Sequence, residues 1–303
     1  MMKIAPFVLL GAPTQCDGRP GGVERAPNVL RDLGVLGAIG ASVDLGDLPV
    51  RIDGPDRDPI SGVIGATSAA RAIGRTRDAV ETILGNGDRP FMLGGCCTYA
   101  IGAVAAAARV FGRCGLVYID GHLDLYDGET SPTGEAADMP AAAMLGKAGD
   151  LFTRAMGMAR AVVPEDVALL ACRDHAVAEA EGSLLPRDLG PGLFYRDVSG
   201  LRRAGLQETA ADVRLRQEGG ARRYWLHVDF DVLDDAVFPA VDYSMPGGLS
   251  WSELTTLVRP LLASGSLIGV STACYNPDRD ADLTGGRQIV EFLHRALVSG
   301  EFE

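Results

Sequence analysis

The sequence predicts a single α/β domain over residues 1–303, built as three layers, α/β/α, around a mostly parallel sheet of about eight strands. Three observations predict it. Short apolar runs rich in β-branched residues alternate with longer amphipathic runs. Two of the short runs, 115–120 and 224–230, are apolar nearly throughout, as strands covered on both faces should be. No repeat, charge block or linker interrupts the chain, and 47% hydrophobic content over 303 residues is ample for a sizeable core.

The elements follow in order. Residues 5–12 form an apolar stretch too short to span a bilayer and without a basic leader, so 6–10 reads as a first buried strand. An amphipathic run predicts a helix at 27–36, and a short apolar run a strand at 42–45. The same alternation predicts helix 66–84, strand 91–93, helix 99–111 and strand 115–120. Beyond it come helix 140–148, strands 167–171 and 193–195, and helix 206–218. Strand 224–230, helix 250–262, strand 266–272 and helix 286–298 complete the reading. In such folds ligands bind beyond the carboxyl ends of the strands.

Charge narrows the function. The chain carries 28 Lys+Arg against 40 Asp+Glu, a formal net charge of −12. That excludes broad phosphate-backbone binding, and nothing suggests a membrane anchor; the expected partner is a small molecule. Six cysteines in a chain of this length do not imply a disulfide framework, and Cys96 and Cys97 are adjacent, a poor arrangement for a staple. The reading is a cytoplasmic protein with reduced thiols.

Two strand ends carry the chemistry. Asp120, His122 and Asp124 are two residues apart, so in an extended segment they project to one side; His227, Asp229 and Asp231 repeat the pattern. One such triplet could be a solvated strand end. Carboxylates from two buried strands would repel one another, and a divalent cation is the simplest way to keep them ionised together. Oxygen-rich ligation with an imidazole suits Mn²⁺, or Fe²⁺, Co²⁺ and Zn²⁺, and two cations could activate a water as hydroxide.

At these residues the chain resembles the ureohydrolases, the arginase and agmatinase family. Gly21-Gly22-Val23-Glu24 with Pro27 and Leu30-Arg31 is similar to its early G-G-V-E-x-x-P-x-x-L-R segment. Asp120-Gly121-His122-Leu123-Asp124 resembles D-A-H-x-D, and 227–234 resembles S-x-D-x-D-x-x-D. Pro246-Gly247-Gly248-Leu249 and Asn276-Pro277 match later landmarks. The resemblance implies a binuclear manganese centre held by Asp120, His122, Asp124, Asp229 and Asp231, with Asp120 and Asp229 bridging. It also implies a homo-oligomer, trimer or hexamer.

The departures from the family matter as much. Its G-G-D-H-S appears as Gly94-Gly95-Cys96-Cys97-Thr98, so Cys97 takes a ligand histidine's place. Cys97 is either a thiolate ligand, which shifts preference towards Zn²⁺ or Fe²⁺, or a buried neutral thiol. His227 replaces a serine and is either a compensating ligand or orienting partner, or a satisfied core histidine. Cys274 stands where guanidine-cleaving members carry a glutamate, and Ala137 where they carry a proton-shuttling histidine. Asp138 or Glu135 could carry protons instead. Asp174, His175 and Glu179 lie in the stretch that corresponds to the acidic loop with which family members read the substrate's amino-acid end, so the resemblance implies rim residues there.

The expected activity is metal-dependent hydrolysis of a C–N bond in an amidine or guanidine. Metal-bound hydroxide is the nucleophile, Asp124 accepts its proton, and His122 and Asp138 assist. A modified guanidine such as N-hydroxyarginine fits the loss of the glutamate. A single-metal amide deacylase and a non-catalytic binding protein of the same fold are the alternatives.

Overall fold

A computed structural model describes residues 6–297. Ala5, which opens the first apolar stretch, and Val298, the expected end of the last helix, lie outside the described residues.

Among the described residues eight strands form one sheet: β1 Phe7–Ala12, β2 Val43–Asp47, β3 Arg89–Gly94, β4 Gly115–Ile119, β5 Val167–Leu170, β6 Phe194–Arg196, β7 Tyr224–Asp229 and β8 Leu267–Ala273. Their order is β2-β1-β3-β8-β7-β4-β5-β6, and every pairing is parallel. All eight lie where alternation places them. Side chains of the central strands alternate between two cores, as the period of two requires. Leu116, Tyr118 and Trp225 enter one core with the helices Ala66–Gly85 and Tyr99–Phe111. Val117, Ile119, Leu226 and Val228 enter the other, with Trp251–Leu262 and Thr284–Leu297. That makes three layers.

The helices depart from expectation where glycine or short length intervenes. The run at 27–36 breaks into Ala26–Asp32 and Val35–Ala38 around Gly34, whose φ of 92° suits glycine. The helix at 140–148 stops at Met144, ahead of Gly146 at φ 74°. Three short helices, Asp150–Met156, His175–Ala180 and Val198–Ala204, were not expected, because so few turns leave little periodicity to read.

The central strands β3, β8, β7 and β4 are neighbours and end on the same edge. Past those ends lie Cys96 and Cys97, then Cys274, then the residues after Asp229, then Asp120. The entry to Cys96 is tight: a Cβ on Gly95 would sit 2.0 Å from the Thr14 carbonyl oxygen, while Cys96 N–H donates to that same oxygen at 2.9 Å. Among the described residues no helix is long and apolar enough to cross a membrane.

Candidate metal centre

The carboxylates converge, though not on extended segments. The expectation of three side chains on one side of each strand fails because both strands end early. After Ile119 the chain bends, and His122 N–H donates back to Asp120 Oδ1 at 2.7 Å. β7 ends at Asp229, and a 3₁₀ turn, Phe230–Val232, lets Asp231 N–H donate to Asp229 Oδ1 at 2.9 Å. These turns carry His122 Nδ1 to 2.9 Å from Asp231 Oδ2, while Gly121 N–H donates to Asp231 Oδ1 at 3.1 Å. Gly121 replaces the alanine of the related motif for a local reason. A Cβ there would lie 2.5 Å from Arg173 Nη1, and the Arg173 guanidinium holds the turn by donating to the carbonyls of Asp231, Leu233 and Met245.

Among the described residues three groups of potential ligand atoms result, each within 4.8 Å: Asp120, His122 and Asp231; Asp120, His227 and Asp229; Cys97, Asp229 and Cys274. Asp120 and Asp229 each belong to two groups. Asp124 stands beside them, its Oδ2 accepting from Tyr118 O–H at 2.5 Å and lying 3.7 Å from Cys97 Sγ. Asp124 and Cys274 both have positive φ, 52° and 67°, rare for residues with a Cβ and typical of functional sites.

His227 is fully buried on β7. Its ring stacks on Tyr118, centroids 4.6 Å apart, and its Nδ1 lies 2.7 Å from Ser271 Oγ. Its Nε2 has no hydrogen-bond partner among the described residues. Burial pushes its pKa down to about 3, so the ring is neutral. A neutral imidazole with an orphaned nitrogen among carboxylate oxygens is the chemistry of a cation ligand.

The electrostatics agree. Burial, reinforced by Asp231, raises Asp120 to about 7. Burial likewise holds Asp124 and Asp229 well above the usual carboxylate range. Burial also opposes ionisation of Asp231, but the His122 ring, the Gly121 N–H and Arg173 offset it and leave that carboxyl below its ordinary value. His122 is raised despite burial, chiefly by Asp231 and Asp120. One imidazole cannot balance these acids, and divalent cations would. The donor set therefore fits metal ions.

These groups floor a cleft of about 260 Å³. Asp138 and Ala137 line it, and Asp138 Oδ2 accepts from Ser131 and Thr133 hydroxyls at 2.5 and 2.6 Å. Burial raises Asp138. Glu135 accepts from Tyr243 O–H at 2.7 Å and is raised by burial to about 7. Asp174 lines the cleft, with Oδ2 accepting from Leu123 N–H at 3.2 Å and Oδ1 unpartnered among the described residues. The two other rim residues are placed differently from expectation. His175 turns to Tyr195, Nδ1 3.3 Å from the hydroxyl, and Glu179 forms an exposed ion pair with Arg187; neither lines the cleft. The helix His175–Ala180 is the reason, since it directs those side chains outward.

Sequence reasoning missed Glu181, two residues past the stretch read as the acidic loop. It lines the cleft and accepts from Tyr126 O–H at 2.6 Å. Tyr118, Arg173 and Ser271 were also missed, because their roles depend on contacts between distant strands and loops.

Comparison with known proteins adds a family. A sequence model of the arginase family matches residues 5–298. The chain is 29% identical over 271 residues to the arginase of Bacillus caldovelox, covering 87% of this chain and 88% of that protein. It is 27% identical over 278 residues to arginase-1 of Homo sapiens, covering 89% and 84%. The solved structure of the Bacillus caldovelox arginase superposes with a TM-score of 0.87 at 23% identity, covering 98% of this chain and 100% of that one.

Proposed function

The chain belongs to the arginase family, whose members hydrolyse non-peptide C–N bonds in linear amidines, and from that premise we propose that it cleaves a modified guanidine in a small molecule, using a pair of divalent cations. N-hydroxyarginine is the type of substrate meant. The observation that carries this reading is the convergence of Asp120, Asp124, Asp229 and Asp231 with His122 on the floor of a small cleft, where burial opposes their ionisation.

Manganese is the family's ion, and Asp120, His122, Asp124, Asp229 and Asp231 would hold it, with His227 and Cys97 as further donors. When bound, the cations supply positive charge that keeps the carboxylates ionised and make a water acidic enough to attack near neutral pH. The protein's own groups do the rest. Asp124 accepts the proton of the attacking water, and Tyr118 fixes its carboxylate in place. Asp138, held by two hydroxyls, takes over proton delivery to the leaving nitrogen where Ala137 offers nothing. Asp174 and Glu181 make the rim acidic and would receive a cationic amino group.

Cys274 supplies no carboxylate to pair bidentately with a guanidinium, which argues against plain arginine. A homo-oligomer, trimer or hexamer, and a cytoplasmic location complete the proposal. The test is a screen of metal-reconstituted protein against guanidines, N-hydroxyguanidines, formimidoyl compounds and acylated amines. Hydroxyurea release from N-hydroxyarginine supports the reading; free amine from acylated amines alone, with one zinc bound, supports the deacylase instead.

A further inference from the structure

Two of the residues read as departures from the family pattern, Cys97 and Cys274, meet in space. Cys97 follows β3 and Cys274 follows β8, neighbouring strands in register at Leu93 and Thr272. Cys274 N–H donates to Gly95 O at 2.8 Å, so the two strand ends are tied beside each other. The two sulfurs and a carboxylate oxygen of Asp229 all lie within 4.8 Å of one another. Two thiolates on one tetrahedral zinc ion, with Zn–S near 2.3 Å, stand about 3.8 Å apart, well inside that limit.

We propose that Cys97, Cys274 and Asp229 form a thiolate subsite for a soft divalent cation, Zn²⁺ above all, beside a harder subsite of Asp120, His122 and Asp231. Cys274 is then a metal ligand and not a substrate contact, and the changes at 97 and 274 are one change of metal chemistry. Soft sulfur donors select zinc, whereas carboxylates with a single imidazole suit manganese, so the centre would hold two unlike ions. An independent observation points the same way. His227, fully buried and with its Nε2 unpartnered among the described residues, offers a ring nitrogen within 4.8 Å of both Asp229 of the thiolate subsite and Asp120 of the harder one. This inference rests on the metal-dependent reading above.

Cobalt substitution tests it without reference to turnover. The full-length protein is stripped by a chelator, reduced and reloaded with Co²⁺. A thiolate-to-cobalt charge-transfer band in the near ultraviolet is expected, falling by about half in Cys274→Ser and in Cys97→Ser and vanishing in the double variant. Cys16→Ser is the control, since Cys16 lines the cleft but joins no ligand group, and its band should be unchanged. A band that Cys274→Ser leaves intact overturns the inference, as does bound cobalt with no such band. Protein that takes up no cobalt at all overturns the metal-dependent reading itself. A second readout guards against misfolding: wild type should retain zinc in an equimolar zinc–manganese competition, and Cys274→Asp should narrow that preference, since oxygen donors favour zinc over manganese less than thiolates do. Equal zinc preference in both contradicts the proposal.

Discussion

His227 Nδ1 lies 2.7 Å from Ser271 Oγ, which also accepts a hydrogen bond from Trp225 Nε1 at 2.8 Å. An indole N–H only donates, so Ser271 keeps its own proton and a second lone pair. If His227 donates from Nδ1, its Nε2 keeps a bare lone pair; if Ser271 donates, Nε2 carries the ring proton. The serine that the family carries at position 227 has thus been exchanged for a ring whose tautomer is set from β8.

Removing that ring tests its part. His227→Ala should weaken metal binding roughly 10–100-fold, read by competition with a chelating dye, and Ser271→Ala should have a smaller effect in the same direction. Unchanged metal content and activity in His227→Ala would leave the residue a core histidine.

Asp124→Asn should lower kcat by about 10²- to 10⁴-fold with unaltered circular dichroism. Tyr118→Phe removes a donor that favours the ionised carboxylate of Asp124, so the acid limb of its pH–rate profile should move to higher pH. A limb that stays put would exclude Asp124 as the proton acceptor.

The metal-free protein should lose stability as pH rises. Asp120 goes from an ordinary value of 3.8 to about 7 in the fold, so the native state binds more protons than the unfolded chain between those values. Its contribution is therefore present below 3.8 and lost as pH rises through about 7. Asp124 and Asp229 act in the same sense, and depressed Asp231 in the opposite one. Thermal melts of chelated protein should fall across this window, while added Mn²⁺ or Zn²⁺ should raise the Tm most at its upper end. A Tm of chelated protein that climbs across the window would contradict this.

Glu181→Gln should raise KM by roughly tenfold for a substrate with a cationic amino group and leave kcat nearly unchanged, the signature of a lost uniform binding contact. An equal loss in kcat would place Glu181 in the chemistry instead.

Gly269→Ala checks the frame behind the site. The added Cβ would lie 2.3 Å from the Trp225 ring, which itself anchors Ser271. Overpacking of this kind costs about 1–3 kcal/mol, measurable by urea denaturation; a neutral result would mean the indole can move aside freely.

The central strands were legible in the sequence because parallel strands buried on both faces read as plain apolar runs; β2 is largely exposed and β6 half-buried, and only the alternation of elements marked their places. The carboxylates of the site were legible because they follow such runs. Their convergence, however, comes from turns after Ile119 and Asp229, not from the strand period that singled them out. His175 and Glu179 looked like rim residues by position, but a six-residue helix too short to show in the sequence aims them away, while Glu181, just beyond it, lines the cleft. The meeting of Cys97 with Cys274 depends on β3 and β8 being neighbours, an order no local pattern encodes.

Elemental analysis of the purified protein, after exposure to manganese, iron and zinc salts and gel filtration, probes most directly whether cations hold the acidic floor together. About two divalent ions per chain are expected in the wild type, with loss of both in the paired Asp120→Asn, Asp229→Asn variant. Wild-type protein that emerges without any bound ion would contradict the metal centre and leave only the fold.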